Sequence, residues 1–325
     1  MKLGFYRAFE ERYYAPRSVI RQLRQQYLPF IKALVEEYPK GHTYDAGCGR
    51  GEWLELMLEE GLLPYGVDLD DGMLSSCFEL GLPAEKGDAV EFIASLADNS
   101  QVVVSAFHVV EHIPFEALQT FVSEALRVLK PGGLLIMETP NPENIKVATE
   151  SFYLDPTHIK PIPSALLSFL PEFYGFERTK VLRLQESDVL VGQESITLLQ
   201  VIQGVSPDYA VIAQKKGDAG LLENFDDVFS QDVGLMLTTL TSKFECRLQK
   251  IESKAEQAEL RAEQAEFRAE EAEASAGKAK ASAEKAEARA EQGCIMLQAA
   301  YDSSSWRFIA KIRKLLGFFR GNNQK

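Results

Sequence analysis

The spacing of apolar residues changes character three times along the chain. Residues 5–38 mix Arg, Gln and Tyr with Ile20, Leu23, Tyr27, Ile31, Leu34 and Val35 at three- and four-residue steps, which predicts a helix ahead of the first strand. It either packs on a sheet or forms a lid over a ligand. From 43 to 138, short apolar runs alternate with amphipathic stretches, the pattern of a mainly parallel sheet covered by helices on both faces. A strand ends at Ala46, and residues 52–58 set Trp53, Leu56 and Met57 on one helical face. Residues 63–68 form a second strand, a short third precedes Gly87, and the valine-rich run 101–107 is a strand buried on both faces. Residues 115–128 make the next amphipathic helix, which Lys130-Pro131-Gly132-Gly133 stops and reverses into a fifth strand at 134–137. The stretch 152–158, between neighbouring prolines, is expected as loop, and 181–184 and 210–214 are the last strands.

Lys216-Gly217-Asp218-Ala219-Gly220 reads as a boundary, giving expected divisions 1–217, 218–300 and 301–325. Beyond it the period becomes that of a coiled coil: Phe244, Leu248, Ile251, Ala255, Ala258, Ala262 and eight further alanines to Ala290 recur at alternating steps of four and three. An alanine seam buries little area per layer, so association is weaker than through leucine. The stretch is either a solvated single helix or a parallel homo-oligomer used as a rigid spacer. Residues 306–325 then reverse the charge trend, with six basic side chains and no acid interleaved with Trp306, Phe308, Ile309, Ile312, Leu315 and Leu316. Such a short amphipathic helix suits an anionic membrane surface or an acidic groove on another protein.

The chemistry gathers at strand ends. Thr43-Tyr44-Asp45-Ala46-Gly47-Cys48-Gly49-Arg50-Gly51 is a strand, a tight glycine turn and a helix start. Glycine is needed where φ is positive or where a ligand meets the main chain, and the N–H groups at the helix start favour a negative or electron-rich group. Asp68, closing the second strand, is placed to accept hydrogen bonds from ribose hydroxyls. Asp88 after the third strand either accepts an adenine amino group or caps the helix that follows. Residues 101–107 deliver His108, Glu111 and His112 to the carboxyl edge of the sheet, where open α/β folds place ligands. Asp155 and His158 form a second polar cluster, which orients an acceptor or fixes its own loop.

A net charge of −13 argues against general nucleic-acid binding, which relies on basic surface. Cys48, Cys77, Cys246 and Cys294 are far apart without a C-x-x-C pair, and four histidines are few, so neither a disulfide framework nor a structural metal site is expected. A reducing compartment fits. No stretch of about 20 apolar residues is present.

In order, Asp45-x-Gly47-x-Gly49-x-Gly51, Gly66-Val67-Asp68, Gly87-Asp88-Ala89, Glu111-His112-Ile113 and Leu129-Lys130-Pro131-Gly132-Gly133 resemble the class I S-adenosylmethionine-dependent methyltransferases. The resemblance implies a doubly wound, Rossmann-like α/β sheet over residues 1–217. It sets S-adenosylmethionine against Tyr6, Arg7, Asp45, Gly47, Gly49, Gly51, Asp68, Leu69, Asp88, Ala89 and Phe107, with no metal. Removing a hydroxyl proton requires a base, for which His108 and His112 are the candidates, with Glu111, Asp155 and His158 to orient ring or acceptor.

Phe5-Tyr6-Arg7-Ala8-Phe9-Glu10, Gly49-Arg50-Gly51-Glu52-Trp53, Glu138-Thr139-Pro140-Asn141-Pro142 and Phe152-Tyr153-Leu154-Asp155-Pro156-Thr157-His158 are similar to bacterial O-antigen chain-terminator methyltransferases. That narrower resemblance implies an O-methyltransferase that caps the terminal sugar, commonly mannose, of a lipid-linked polysaccharide. It further implies a trimeric coiled coil, a mannosyltransferase or polymerase partner, and a peripheral location on the cytoplasmic face of the inner membrane. A small-molecule or quinone O-methyltransferase, or a membrane-recruited scaffold, are the competing expectations.

Overall fold

The computed structural model describes residues 15–320. Tyr6 and Arg7, expected near the cofactor, lie outside the described residues. Helices α1 (Arg17–Arg24) and α2 (Leu28–Glu37) precede β1 (His42–Ala46) and α3 (Glu52–Glu59), then β2 (Leu63–Asp68), α4 (Asp71–Glu79), β3 (Ala84–Lys86) and α5 (Ala89–Ser95). The chain continues through β4 (Gln101–Phe107), α6 (Phe115–Val128), β5 (Leu129–Pro140), α7 (Ser164–Tyr174), β6 (Arg178–Leu184) and β7 (Asp208–Gln214). The seven strands lie in the order β3-β2-β1-β4-β5-β7-β6, parallel except for β7, which runs antiparallel to β5 and β6. Chain direction across the sheet reverses between β1 and β4, which opens a crevice at their carboxyl ends.

Two apolar layers sandwich the sheet. On one side Tyr44, Val104, Leu118, Phe121, Val122 and Met137 are buried. On the other, Tyr27, Ile31, Leu34, Trp53, Met57 and Val103 are buried, so the predicted faces of α2 and α3 are the packed ones, whereas Ile20 and Leu23 of α1 line a cavity at the edge of the sheet. Lys130-Pro131-Gly132-Gly133 differs from expectation in one respect. It does not separate α6 from the fifth strand; Leu129 already pairs with Gln101, and the register resumes at Val103 with Leu134, so the four residues bulge out of β5. Gly132 at φ 70° and the close approach of Gly133 to the carbonyls of Lys130 and Val102 make the bulge. Residues 151–154 form a 3-10 turn where loop was expected.

The compact α/β unit ends at Leu248, not near Gly217. Lys216-Gly217 is a tight crossing, since a Cβ on Gly217 would lie 2.8 Å from the Gly132 nitrogen. Leu221 and Phe225 then bury under α2, Phe229 meets Phe30 edge-on at 5.7 Å, and Leu235 and Leu240 fill a satellite core with Leu190, Ile196 and Val201. The second unit, Gln249–Lys325, carries most of α8 (Leu237–Asp302), whose 66 residues span about 99 Å at about 1.5 Å each. Within it the alanine seam is exposed. Ser303 interrupts the helix, and α9 (Ser304–Arg320) follows. No helix of the described residues is long and apolar enough to cross a membrane.

Candidate active site

A cavity of about 910 Å³ opens at the carboxyl edge of β1, β2, β4 and β5. Its first end is built by short-range structure. Gly47 and Gly49 take φ of 66° and 55°, and a Cβ on Gly47 would lie 2.4 Å from Val109. The Gly47 and Cys48 N–H groups donate to the Val67 carbonyl, which folds the loop back against β2. Asp68 receives the Gly49 N–H at 2.9 Å and the Asp70 N–H at 2.8 Å, one on each carboxylate oxygen. Burial raises its pKa while these backbone donors oppose the rise.

Asp45, only 2% exposed, accepts from Ser105 Oγ at 2.7 Å. Burial pushes its carboxyl up to about 7, against the pull of Ser105 and Arg24. Asp88 spends one oxygen capping α5 through the Val90 and Glu91 N–H groups, so the capping reading holds; it also lines the cavity. Leu69, 66% exposed, and Ala89 add apolar wall, and Phe107 lines the cavity from the end of β4. Gly51, expected here, is not on the wall. It caps α3 at φ 82°, and a Cβ there would strike Leu82 and Cys77, so its glycine answers to packing.

The second end is assembled from distant segments. His108 leaves β4 at φ 56°, its Nδ1 3.3 Å from a Glu111 oxygen and its Nε2 3.2 Å from Glu138 Oε1. Glu138, fully buried, also takes Arg24 Nη1 at 2.6 Å and the Tyr27 hydroxyl. Arg24 lies 4.0 Å over the Phe107 ring. Although burial works against both charges, Arg24 and His108 hold Glu138 down at about 2, and Glu111 and Glu138 keep His108 well above the usual imidazole range. With Glu138 on Nε2 and Glu111 facing Nδ1, both carboxylates favour the protonated ring and make His108 the poorer candidate for the base. Glu111 is buried behind the wall, where Thr139 Oγ1 donates to it at 2.9 Å.

His112 is different. Its Nδ1 lies 2.8 Å from Thr157 Oγ1, and burial lowers its pKa, aided by His158 and His108 against Glu111 and Asp155. Thr157 is tied to Asp155 Oδ1 through its N–H at 2.8 Å and its hydroxyl at 2.7 Å. His158 Nδ1 donates to the Phe152 carbonyl at 2.6 Å, and its ring meets His112 edge-on at 4.6 Å. Ile159 N–H bonds the Glu111 carbonyl at 2.9 Å and seats the loop on the β4 turn. The two polar clusters expected separately, His108 with His112 and Asp155 with His158, thus line one cavity; Arg24, Glu138, Gln185 and Thr157 join them unforeseen. The signal for Glu138 was a carboxylate closing the apolar run Leu134-Leu135-Ile136-Met137.

Residues 44–137 match a family model described as a methyltransferase domain. A probable S-adenosylmethionine-dependent methyltransferase from Mycolicibacterium smegmatis is 33% identical over 135 residues, which is 41% of this chain and 51% of that protein. A ubiquinone biosynthesis O-methyltransferase from Methylococcus capsulatus is 31% identical over 127 residues, 38% of this chain and 51% of the relative. The chain spans about half the length of these curated relatives. The crystal structure of a S-adenosylmethionine-dependent methyltransferase from Archaeoglobus fulgidus superposes with a TM-score of 0.57 at 32% identity, over 65% of this chain and 100% of that one. The first end of the cavity suits that cofactor, since Asp68 faces it with a hydrogen-bonding carboxylate, Leu69 and Ala89 give an apolar face, and the buried carboxyl of Asp45 also lines it. Fold, site chemistry and relatives agree: the chain belongs to the class I S-adenosylmethionine-dependent methyltransferases.

Proposed function

We propose that the protein methylates a hydroxyl of the terminal sugar of a lipid-linked polysaccharide, with His112 as base. Bound S-adenosylmethionine supplies an electrophilic methyl group on a cationic sulfur. The loop at Gly47 and Gly49, with Asp45 and Asp68, would hold it, and His112 takes the acceptor proton. The observation that carries the reading is the wall around His112. His112, Asp155, Thr157, His158 and Gln185 line it and offer both hydrogen-bond donors and acceptors. A polyhydroxyl acceptor engages such a wall through several groups at once.

The remainder of the chain suits a membrane-bound acceptor. On α9, Trp306, Phe308, Ile309, Ile312 and Leu315 are exposed among Arg307, Lys311, Arg313 and Lys314, which fits an anionic bilayer on the cytoplasmic face of a bacterial inner membrane. The heptad alanines of α8 fit a homo-oligomeric spacer, a trimer by the resemblance, set beside a mannosyltransferase or polymerase. The Methylococcus relative supports a second reading, O-methylation of a quinone precursor. Purified protein with methyl-labelled cofactor is offered a mannose-terminated oligosaccharide and a catechol in parallel. Label on the oligosaccharide upholds the proposal; label on the catechol alone replaces it with the second reading.

A further inference from the structure

Two histidines on one wall stand beside carboxylates, yet the contacts of one favour the cation and those of the other the neutral ring. The difference is a hydroxyl. A carboxylate only accepts hydrogen bonds, so the Thr157 hydroxyl hydrogen, 2.7 Å from Asp155 Oδ1, points to Asp155. The Thr157 oxygen is then left to accept, and the ring nitrogen 2.8 Å away, His112 Nδ1, must carry the hydrogen. In the neutral imidazole that leaves Nε2 with the lone pair. We propose that Thr157 is a positioning residue that couples Asp155 to His112, fixing the tautomer so that Nε2 receives the acceptor proton.

The interposed hydroxyl also separates orientation from ionisation. His108, with Glu138 on Nε2 and Glu111 facing Nδ1, is biased toward the protonated ring and away from the role of base. His112 faces Glu111 and His108 from its own turn and His158 and Asp155 from the loop, but among the described residues its one close Nδ1 partner is neutral Thr157. Burial and this neutral partner favour the uncharged ring, and the bond to Thr157 fixes its orientation. In turnover the acceptor O–H bond breaks, its proton passes to Nε2, and the oxygen uses the electron pair it keeps to bond the methyl carbon, while the carbon–sulfur pair would leave on the cofactor's sulfur as a neutral thioether. The imidazolium formed still donates from Nδ1 to Thr157, whose hydroxyl still donates to Asp155, so the carboxylate stabilises the new charge without a second proton moving.

The inference rests on the reading of the acceptor as a hydroxyl, and its test has one arm independent of the acceptor. Full-length wild type, Thr157→Val and Thr157→Ser are prepared with ¹⁵N-labelled histidine, of which the chain has four. Long-range ¹⁵N–¹H spectra at pH 8 read the His112 tautomer, expected as Nδ1–H in wild type and Ser, and mixed or inverted in Val. With labelled cofactor and the oligosaccharide acceptor, kcat in Thr157→Val is expected to fall about 10- to 100-fold at unchanged cofactor affinity, less than the roughly 10²- to 10⁴-fold worth of the base itself, and Ser restores it. A Val variant that keeps the Nδ1–H tautomer overturns the proposal. Turnover lost to EDTA and restored by Mg²⁺ or Zn²⁺ also overturns it, because Glu111, His112 and His158 bring ligand atoms within 4.8 Å of one another and would then serve a cation. Should wild type ignore the oligosaccharide, the acceptor reading fails and the tautomer alone decides the role of Thr157.

Discussion

The two ends of the cavity are built by opposite means. At the cofactor end, nearly every contact joins residues close in sequence or on neighbouring strands, with backbone N–H groups as donors: Gly49 and Asp70 to Asp68, Val90 and Glu91 to Asp88. At the acceptor end, side chains from four remote segments meet, as Arg24 with Glu138 and His112 with Thr157. A site of backbone groups tolerates changes among its side chains. A site of mutually neutralising side chains fails when one is removed, because a buried charge is stranded.

The largest expected effect is on the acceptor side. His112→Ala should lower kcat about 10²- to 10⁴-fold with cofactor affinity near normal, whereas His108→Ala should act through stability first. Steady-state kinetics and calorimetric titration of both variants check this; a folded His112→Ala enzyme of wild-type rate removes it as the base.

Next in size is Glu138→Ala, which strands Arg24 and His108 and should destabilise the fold by about 3–5 kcal/mol, read by urea unfolding. The pH dependence has a definite sign. Glu138 is held below its ordinary 4.5, so its stabilisation is complete above that value and fades as pH falls toward about 2. His108 is shifted upward, so its share is complete below the ordinary 6.5 and is lost only as pH rises through its raised value. A variant as stable as wild type at pH 7 would break the contrast between the two ends.

Asp68→Ala should weaken S-adenosylmethionine binding by about 1.5–3 kcal/mol through loss of a charged hydrogen-bond partner. Calorimetry with a correctly folded variant decides it. Smallest is Asp88→Ala, where loss of the α5 cap should cost about 1 kcal/mol of stability, visible as a lowered thermal midpoint. If cofactor affinity falls more than stability does, Asp88 binds ligand as well as capping.

The same contrast explains what could be read in advance. The glycine turn, the place of Asp68 at the end of β2 and the alternation of strands and helices were legible because local spacing encodes them. Arg24 was not, since a helix rich in Arg and Gln gives no sign that one arginine turns inward to a carboxylate 114 positions on. Gly51 was misassigned because a glycine that clears Leu82 and Cys77 looks, in sequence, like one that clears a ligand. The boundary near Gly217 was misplaced because Gly and Asp mark tight crossings as well as linkers, and only the burial of Leu221 and Phe225 tells them apart.

The central claim is that two histidines four positions apart hold opposite charge states on one wall. The direct measurement is a ¹⁵N titration of the histidine rings in the full-length protein between pH 6 and 9. The account predicts both His108 nitrogens protonated well above pH 7, and a neutral His112 ring at pH 7 that gains its proton only at lower pH. A His108 that is neutral at pH 7, or a His112 still protonated there, would contradict it.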